Sequence, residues 1–137
     1  MTQSQRSWQP VTLGGDVPPP KGAYSPGVRA GDLLFVSGQV PRDVRTGEIA
    51  PGGVAEQTRQ VLANLRGVLE AAGATLEQVV AVTVYLQDES DWGAFDAVYR
   101  EHFRPPFPTR AVVGASLRGI LVEVSAIAYL GAAASPA

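Results

Sequence analysis

The middle of the chain contains the segment Val79-Val80-Ala81-Val82-Thr83-Val84-Tyr85-Leu86-Gln87, in which β-branched and aromatic residues predominate. Such residues favour the pleated surface of a sheet, and a run of this length is typical of one strand. We therefore predict a strand over residues 79–87. The segments on either side of it define the rest of the fold.

Helical patterns flank this strand. From Val54 to Ala72 the apolar residues recur at helical spacing, and Gly73 supplies a stop signal. Ser90 or Asp91 can cap a second helix, which ends before Pro105-Pro106. The buried stripe predicted for this second helix comprises Trp92, Phe95, Tyr99 and Phe103.

Further strands are predicted over Leu33–Val40, Arg110–Ala115 and Ile120–Leu130, with Arg118-Gly119 as the turn of a hairpin between the last two. A short strand pair, at Val11–Leu13 and around Val28, precedes them. This order predicts an α+β fold: a mixed sheet with two helices on one face. The 137 residues fit a single domain over residues 1–137, with a core from about 14 to 130 and flexible termini.

The two faces of the predicted sheet differ in polarity, because alternate residues of a strand share a face. The face expected under the helices is apolar and carries Leu34, Val36 and Val40; Val80, Val82, Val84 and Leu86; Ala111, Val113 and Ala115; Ile120, Val122, Val124 and Ala126. The opposite face is mixed and carries Leu33, Phe35, Ser37 and Gln39; Val79, Thr83, Tyr85 and Gln87; Arg110 and Val112; Leu121, Glu123, Ser125 and Ile127. A mixed face is often covered by another subunit and keeps polar groups for a ligand, so we expect a homo-oligomer.

Composition excludes several classes of function. The chain has no cysteine and a single histidine, His102, so disulfides, thiol catalysis and thiolate metal sites are excluded and no zinc or non-haem iron centre is expected. The formal net charge is −2 and the basic residues are scattered, which argues against nucleic acid or a membrane surface as a partner. The polar start, Met1–Gln9, does not resemble a signal peptide, so a cytoplasmic location is expected.

Several motifs together resemble the RidA/YjgF/UK114 family. They are Gly22-Ala23-Tyr24-Ser25-Pro26-Gly27, Phe35-Val36-Ser37-Gly38-Gln39-Val40-Pro41, Thr46-Gly47-Glu48-Ile49, Gln57-Thr58-Arg59 with Asn64-Leu65, Leu69-Glu70-Ala71-Ala72-Gly73, Phe107-Pro108-Thr109-Arg110 and Val122-Glu123-Val124. Their order and spacing match over about residues 14–130. The resemblance implies a chorismate-mutase-like fold, a homotrimer whose sheets close a central barrel, and ligand sites between subunits. It also implies cofactor-independent hydrolysis of reactive enamines and imines, such as 2-aminoacrylate, to 2-oxo acids and ammonia.

Two residues are candidates for catalysis. Arg110 is either a surface or interface arginine or a bidentate clamp on a substrate carboxylate. Glu123 is either a structural acid or the group that polarises water and transfers a proton. The resemblance implies the functional alternative for both, since the family's substrate-binding arginine and catalytic glutamate correspond to these positions. The separation between them is two residues shorter than the family pattern implies.

Four further residues are candidates for substrate binding. By resemblance, Tyr24 closes the pocket and the region of Ser37 and Gly38 contacts the ligand; the alternatives are a packing lid and a satisfied core serine. A glycine at position 38 permits close approach of the backbone. Asp96 stands where active members of the family have asparagine, and as an anion it accepts hydrogen bonds but cannot donate them.

Two functions of different class remain open at the level of sequence. The first is a 2-iminobutanoate/2-iminopropanoate-type deaminase. The second is a non-catalytic trimeric protein that binds a 2-oxo acid and regulates a partner. Arg110 serves both functions, whereas Glu123 matters only to the enzyme. Chorismate-mutase chemistry would need more cationic groups, and nucleic-acid cleavage is disfavoured by the acidic balance of the chain.

Overall fold

The computed structural model describes residues 6–132, and the expectations for the first five and last five residues lie outside this range. Within it, the elements are β1 (Gln9–Val11), β2 (Gly27–Ala30), β3 (Leu33–Gln39), α1 (Val54–Ala71), β4 (Val79–Leu86), α2 (Trp92–His102), β5 (Thr109–Gly114) and β6 (Val122–Tyr129). Each predicted helix and strand is present, with ends that differ by at most two residues. The α+β class is confirmed.

The strand predicted at the middle of the chain is an interior strand of the sheet. The six described strands are ordered β1-β2-β3-β6-β4-β5, so β4 pairs with β6 on one side and with β5 on the other. The β4–β5 pair is parallel and the other four pairs are antiparallel. The predicted mixed sheet is therefore confirmed, and β5 lies at one edge of it.

Both helices pack into one core with the inner face of the sheet. On α1, Val61, Leu62, Leu65 and Leu69 are fully buried, as the helical spacing predicted. The helix begins after Gly53, whose N–H donates to the Glu56 carboxylate at 2.9 Å, and ends before Gly73, where φ is +77°. A left-handed backbone of this kind is accessible to glycine at little cost, which is why Gly73 stops the helix.

The predicted hairpin between the last two strands is wrong. The turn at Arg118-Gly119 does form, with both residues at positive φ. However, β5 and β6 do not pair with each other, because β4 lies between them. The connection after β5 therefore crosses the end of β4. Its length, two residues shorter than the family pattern implies, does not determine which faces Arg110 and Glu123 occupy, as it would in a hairpin.

The predicted faces of the sheet fail in β5 and at the start of β4, and one residue of the predicted α2 stripe is not buried. In β5 the alternation is opposite to the prediction: Arg110 aligns with buried Val82, so Arg110 and Val112 face the helices, whereas Ala111 and Val113 face outward. Val79 is buried and Val80 exposed, since the β4–β6 register shifts between Val79 and Ala81. Trp92, predicted in the buried stripe of α2, is 47% exposed, while the other three members of that stripe are buried.

The outer face of the sheet leaves large apolar side chains exposed in the isolated chain, namely Leu33, Phe35, Val113 and Tyr129. Thr83, Tyr85, Glu123 and Ser125 lie between them and are partly buried. The mixed polarity predicted for this face is present. No helix within residues 6–132 is long and apolar enough to cross a membrane.

Candidate functional site

Arg110 is held against α2 by an ion pair and by aromatic rings. Its Nη1 donates to Oδ1 of Asp96 at 2.8 Å, and its side chain is only 19% exposed. The guanidinium carbon lies 4.6 Å from the ring centroid of Tyr99, 5.5 Å from that of Trp92 and 5.7 Å from that of Phe95. A guanidinium stacks favourably on such rings and is weakly hydrated, so this surrounding suits a partly buried arginine. Within residues 6–132, Asp96 is the one group to which Arg110 donates a hydrogen bond.

Asp96 is the counter-ion of two arginines. Its Oδ2 accepts from Nε of Arg100 at 3.0 Å, one turn further along α2. Burial by itself would raise the pKa of Asp96, but the hydrogen bonds and charges of Arg110 and Arg100 outweigh it and hold the pKa below its usual value of 3.8. The carboxylate is therefore ionised at neutral pH. Because the folded-state pKa is lowered, this pair stabilises the fold above the pKa of the unfolded chain, and that contribution is lost as the pH falls through the folded value.

Glu123 lies on the other side of the sheet, next to Gly38. It aligns with Tyr85 on β4, and both side chains are on the outer face. A Cβ added to Gly38 would collide with the Glu123 carboxylate. The register between β3 and β6 shifts from Val36 to Gln39, which brings this part of β3 up to the glutamate. The close approach of another group to the backbone at Gly38, which the sequence predicted, is therefore present, and the group is the Glu123 carboxylate.

Ser37 ties the loop that carries Tyr24 to β3. Its N–H donates to the Pro26 carbonyl at 3.0 Å, and its hydroxyl donates to the Ser25 carbonyl at 2.6 Å. The hydroxyl proton of Ser37 is thus already used within the chain, as in the satisfied-serine alternative. Tyr24 is 59% exposed. With Gly38 it lines an open cleft of about 530 Å³ between residues 17–26 and 40–47.

The candidate residues therefore form two groups in one chain. Arg110 and Asp96 lie on the helix side of the edge strand β5. Glu123 and Gly38 lie together near the Tyr24 loop, two strands away and on the opposite face. The prediction that Arg110 and Glu123 share a face is wrong. Arg110 can face the helices because Asp96 supplies its counter-charge there. The alternation of β5 does not predict this, because both faces of the strand carry apolar residues.

No group of three or more His, Asp or Glu side chains within the described part of the chain is arranged to hold a metal ion.

Comparison with known proteins identifies the family. The sequence model of the family described as Endoribonuclease L-PSP matches residues 15–130. The RutC family protein PH0854 of Pyrococcus horikoshii is 46% identical over 116 residues, which cover 83% of this chain and 92% of that protein. The 2-iminobutanoate/2-iminopropanoate deaminase of Mus musculus is 41% identical over 112 residues, which cover 80% of this chain and 83% of that protein.

Two solved structures are similar along nearly their whole length. RidA from the Antarctic bacterium Psychrobacter sp. PAMC 21119 superposes with a TM-score of 0.79 at 35% identity, covering 86% of this chain and 98% of that one. The chain belongs to the RidA (YjgF) family. E. coli TdcF, solved with bound serine, has a TM-score of 0.76 at 34% identity, covering 83% and 93%. The resemblance seen in the sequence motifs is thus confirmed.

The sequence did not single out the residues that surround Arg110 in this RidA-family chain. The stripe at positions 92, 95 and 99 was assigned to the core, although all three rings lie beside the arginine. Arg100 is absent from the predicted site, although its spacing of four residues from Asp96 is that of a helical ion pair. An aromatic stripe that shares a helix face with an acid indicates a place for a buried cation, and this was the available signal.

Tyr99 provides a test of this cluster. Its ring stacks on Phe103 with centroids 4.3 Å apart, but its buried hydroxyl has no hydrogen-bond partner within residues 6–132. Burial, with a smaller contribution from Asp96, raises the pKa of Tyr99 to about 12 even though Arg110 opposes it, so the hydroxyl stays protonated. Tyr99→Phe should leave the free energy of unfolding unchanged or raise it by about 1 kcal/mol, because a buried unsatisfied group is removed. Urea unfolding at one protein concentration measures this.

Tyr99→Leu is the matched comparison, since it also removes the ring on which Arg110 and Phe103 stack. It should lower the free energy of unfolding by about 1–3 kcal/mol. A loss above 1 kcal/mol for the phenylalanine variant would show that the hydroxyl does have a partner in the folded protein.

Proposed function

We propose that this chain is a deaminase that hydrolyses reactive 2-imino acids and their enamine tautomers, of the 2-iminobutanoate and 2-iminopropanoate type, to 2-oxo acids and ammonia. The observation that carries the proposal is the guanidinium of Arg110, partly buried and fixed by Asp96 and Tyr99. Only one of its edges is used by Asp96, so a substrate carboxylate can bind the other through two parallel hydrogen bonds. The name of the mouse relative supports the substrate class.

We further propose that the site is completed by a neighbouring subunit in a homotrimer. Arg110 and Glu123 face opposite sides of one sheet, so a small ligand cannot touch both within a chain. The exposed apolar residues of the outer face, among them Phe35 and Val113, favour burial against another copy. In this arrangement Arg110 of one subunit and Glu123, Gly38 and Tyr24 of the next line a shared site.

The proposed reaction consumes one water and releases one ammonia. Arg110 binds the carboxylate and orients the C=N bond, and the Glu123 carboxylate accepts a proton from water as the oxygen attacks the imine carbon. That proton passes to the nitrogen and gives a carbinolamine. Glu123 then accepts the hydroxyl proton of the carbinolamine and passes it to the same nitrogen, so that the C–N bond breaks, the C=O bond of the 2-oxo acid forms and ammonia leaves. Because such imines also hydrolyse in free water, positioning of the substrate and of one water is sufficient for catalysis.

Substitution of Arg110 tests carboxylate recognition. Arg110→Ala should abolish deamination, with a loss of about 3–5 kcal/mol in transition-state binding, because a carboxylate would be left without its charged partner. Arg110→Lys should recover little, since an ammonium cannot reproduce the planar fork. The assay generates the imine in situ with an amino-acid oxidase and follows release of the 2-oxo acid. Near-parental turnover by the alanine variant would disprove the proposed site.

Substitution of Glu123 separates an enzyme from a binding protein. Glu123→Gln keeps the size of the side chain but cannot accept a proton as a carboxylate does. Turnover should fall by roughly 100-fold or more. Affinity for a stable 2-oxo acid, measured by calorimetry, should stay near the parent's because Arg110 is intact. If the parent binds the oxo acid but neither protein turns over any imine, the chain is a metabolite-binding protein instead.

A further inference from the structure

Asp96 lies between two arginines that differ in exposure. The Arg110 side chain is 19% exposed, whereas that of Arg100 is 67% exposed and reaches Asp96 from the solvent side. Each arginine donates to a different oxygen of the carboxylate. The three charges therefore form a row, positive, negative and positive, with the acid in the middle.

We propose that Asp96 is an internal counter-ion of Arg110 rather than a contact of the substrate, and that Arg100 acts through Asp96 to set how tightly Arg110 holds a carboxylate. The inference depends on the proposed function at one point, the binding of a carboxylate by Arg110. Asp96 and Arg100 are positioning residues in this account, because neither touches the ligand.

The charges of Asp96 and Arg100 should have opposite effects on the affinity of Arg110 for a carboxylate. The negative charge of Asp96 offsets part of the field of Arg110 and weakens its attraction for a second carboxylate. Arg100 offsets part of the charge of Asp96 in turn, which restores some of that attraction. Removal of the charge at position 96 should therefore tighten carboxylate binding, and removal of the charge at position 100 should weaken it.

The predicted changes in carboxylate affinity can be measured because the packing around Arg110 holds its side chain in place when Asp96 is replaced. Asparagine at position 96 keeps an oxygen that can accept from Nη1, and the Tyr99 ring, 4.6 Å from the guanidinium carbon, still supports the arginine from its face. Asp96→Asn thus removes charge without freeing the side chain of Arg110. Arg100 is mostly exposed, so Arg100→Gln should fold normally. A merely structural role would make both substitutions weaken binding, whereas the counter-ion role gives them opposite signs.

The test is calorimetric titration of the full chain with 2-oxobutanoate at low and high salt. Asp96→Asn should lower Kd by about three- to tenfold, and Arg100→Gln should raise it by a similar factor. In the double variant the effect of Arg100→Gln should largely vanish, because the residue through which it acts has lost its charge. High salt should reduce the effect of the exposed Arg100 more than that of Asp96.

Glu101→Gln is the matched control. It removes the same charge from the same helix, but Glu101 pairs with Arg59 at 3.4 Å rather than with Arg110. Its Kd should stay within about twofold of the parent's.

The outcomes separate the two proposals. Weaker binding by Asp96→Asn, or unchanged binding by Arg100→Gln, overturns the counter-ion role while Arg110→Ala still abolishes binding. If the parent does not bind 2-oxobutanoate, or Arg110→Ala binds it equally well, the proposed function fails and the inference fails with it.

Discussion

The ion pair between Arg110 and Asp96 is the interaction on which this site depends. An arginine on the inner face of an edge strand would be costly without a counter-charge, since burial of an unpaired cation is strongly unfavourable. Asp96 supplies that charge from α2, and the rings of Tyr99, Phe95 and Trp92 surround the guanidinium. The proposed recognition of a carboxylate therefore requires that α2 packs against the β5 edge as it does in this structure. In the proposed site, the helix contributes through its packing as much as through its own side chains.

The inward direction of the Arg110 side chain also separates it from Glu123. The alternation of β5 turns Arg110 toward the helices, while the alternation of β6 turns Glu123 toward the outer face. Gly38 approaches the glutamate from β3 because it has no side chain to obstruct it. Each chain thus carries one half of the proposed site on each side of its sheet. Assembly through the outer face would join unlike halves from different copies, which links the proposed activity directly to the proposed oligomer.

The sequence predicted the elements well because their signals are local and strong. The run of β-branched residues over 79–87 and the helical spacing over 54–72 each involve many side chains, and both elements were found. The face of β5 was wrong because its six residues carry valines on both faces, so its pattern does not distinguish inside from outside. The prediction places Arg110 outward because Ala111, Val113 and Ala115 form the more apolar of the two alternating sets. Arg110 points inward because Asp96 on α2 pairs with it there, and this contact depends on tertiary packing.

The candidate site was predicted in part for the same reason. The motifs pointed to Arg110, Glu123 and Gly38, and Asp96 was noted as a departure from the family pattern. The hairpin predicted between the last two strands was wrong because β4 lies between them. Relations between strands that are distant in sequence are set by the whole sheet rather than by local turn residues. The same limit applies to Arg100. Its spacing from Asp96 on α2 can be read from the sequence, but the fact that Asp96 also pairs with Arg110 cannot.

The most direct test of the shared site is subunit mixing. Arg110→Ala and Glu123→Gln chains, each inactive alone, would be unfolded, combined in equal amounts, refolded and assayed for deamination. If each site takes Arg110 from one subunit and Glu123 from the next, random assembly leaves about one site in four with both residues intact, and about a quarter of the parental activity returns. Activity no greater than the average of the two separate variants would contradict the account, because it would mean that both residues act within one chain.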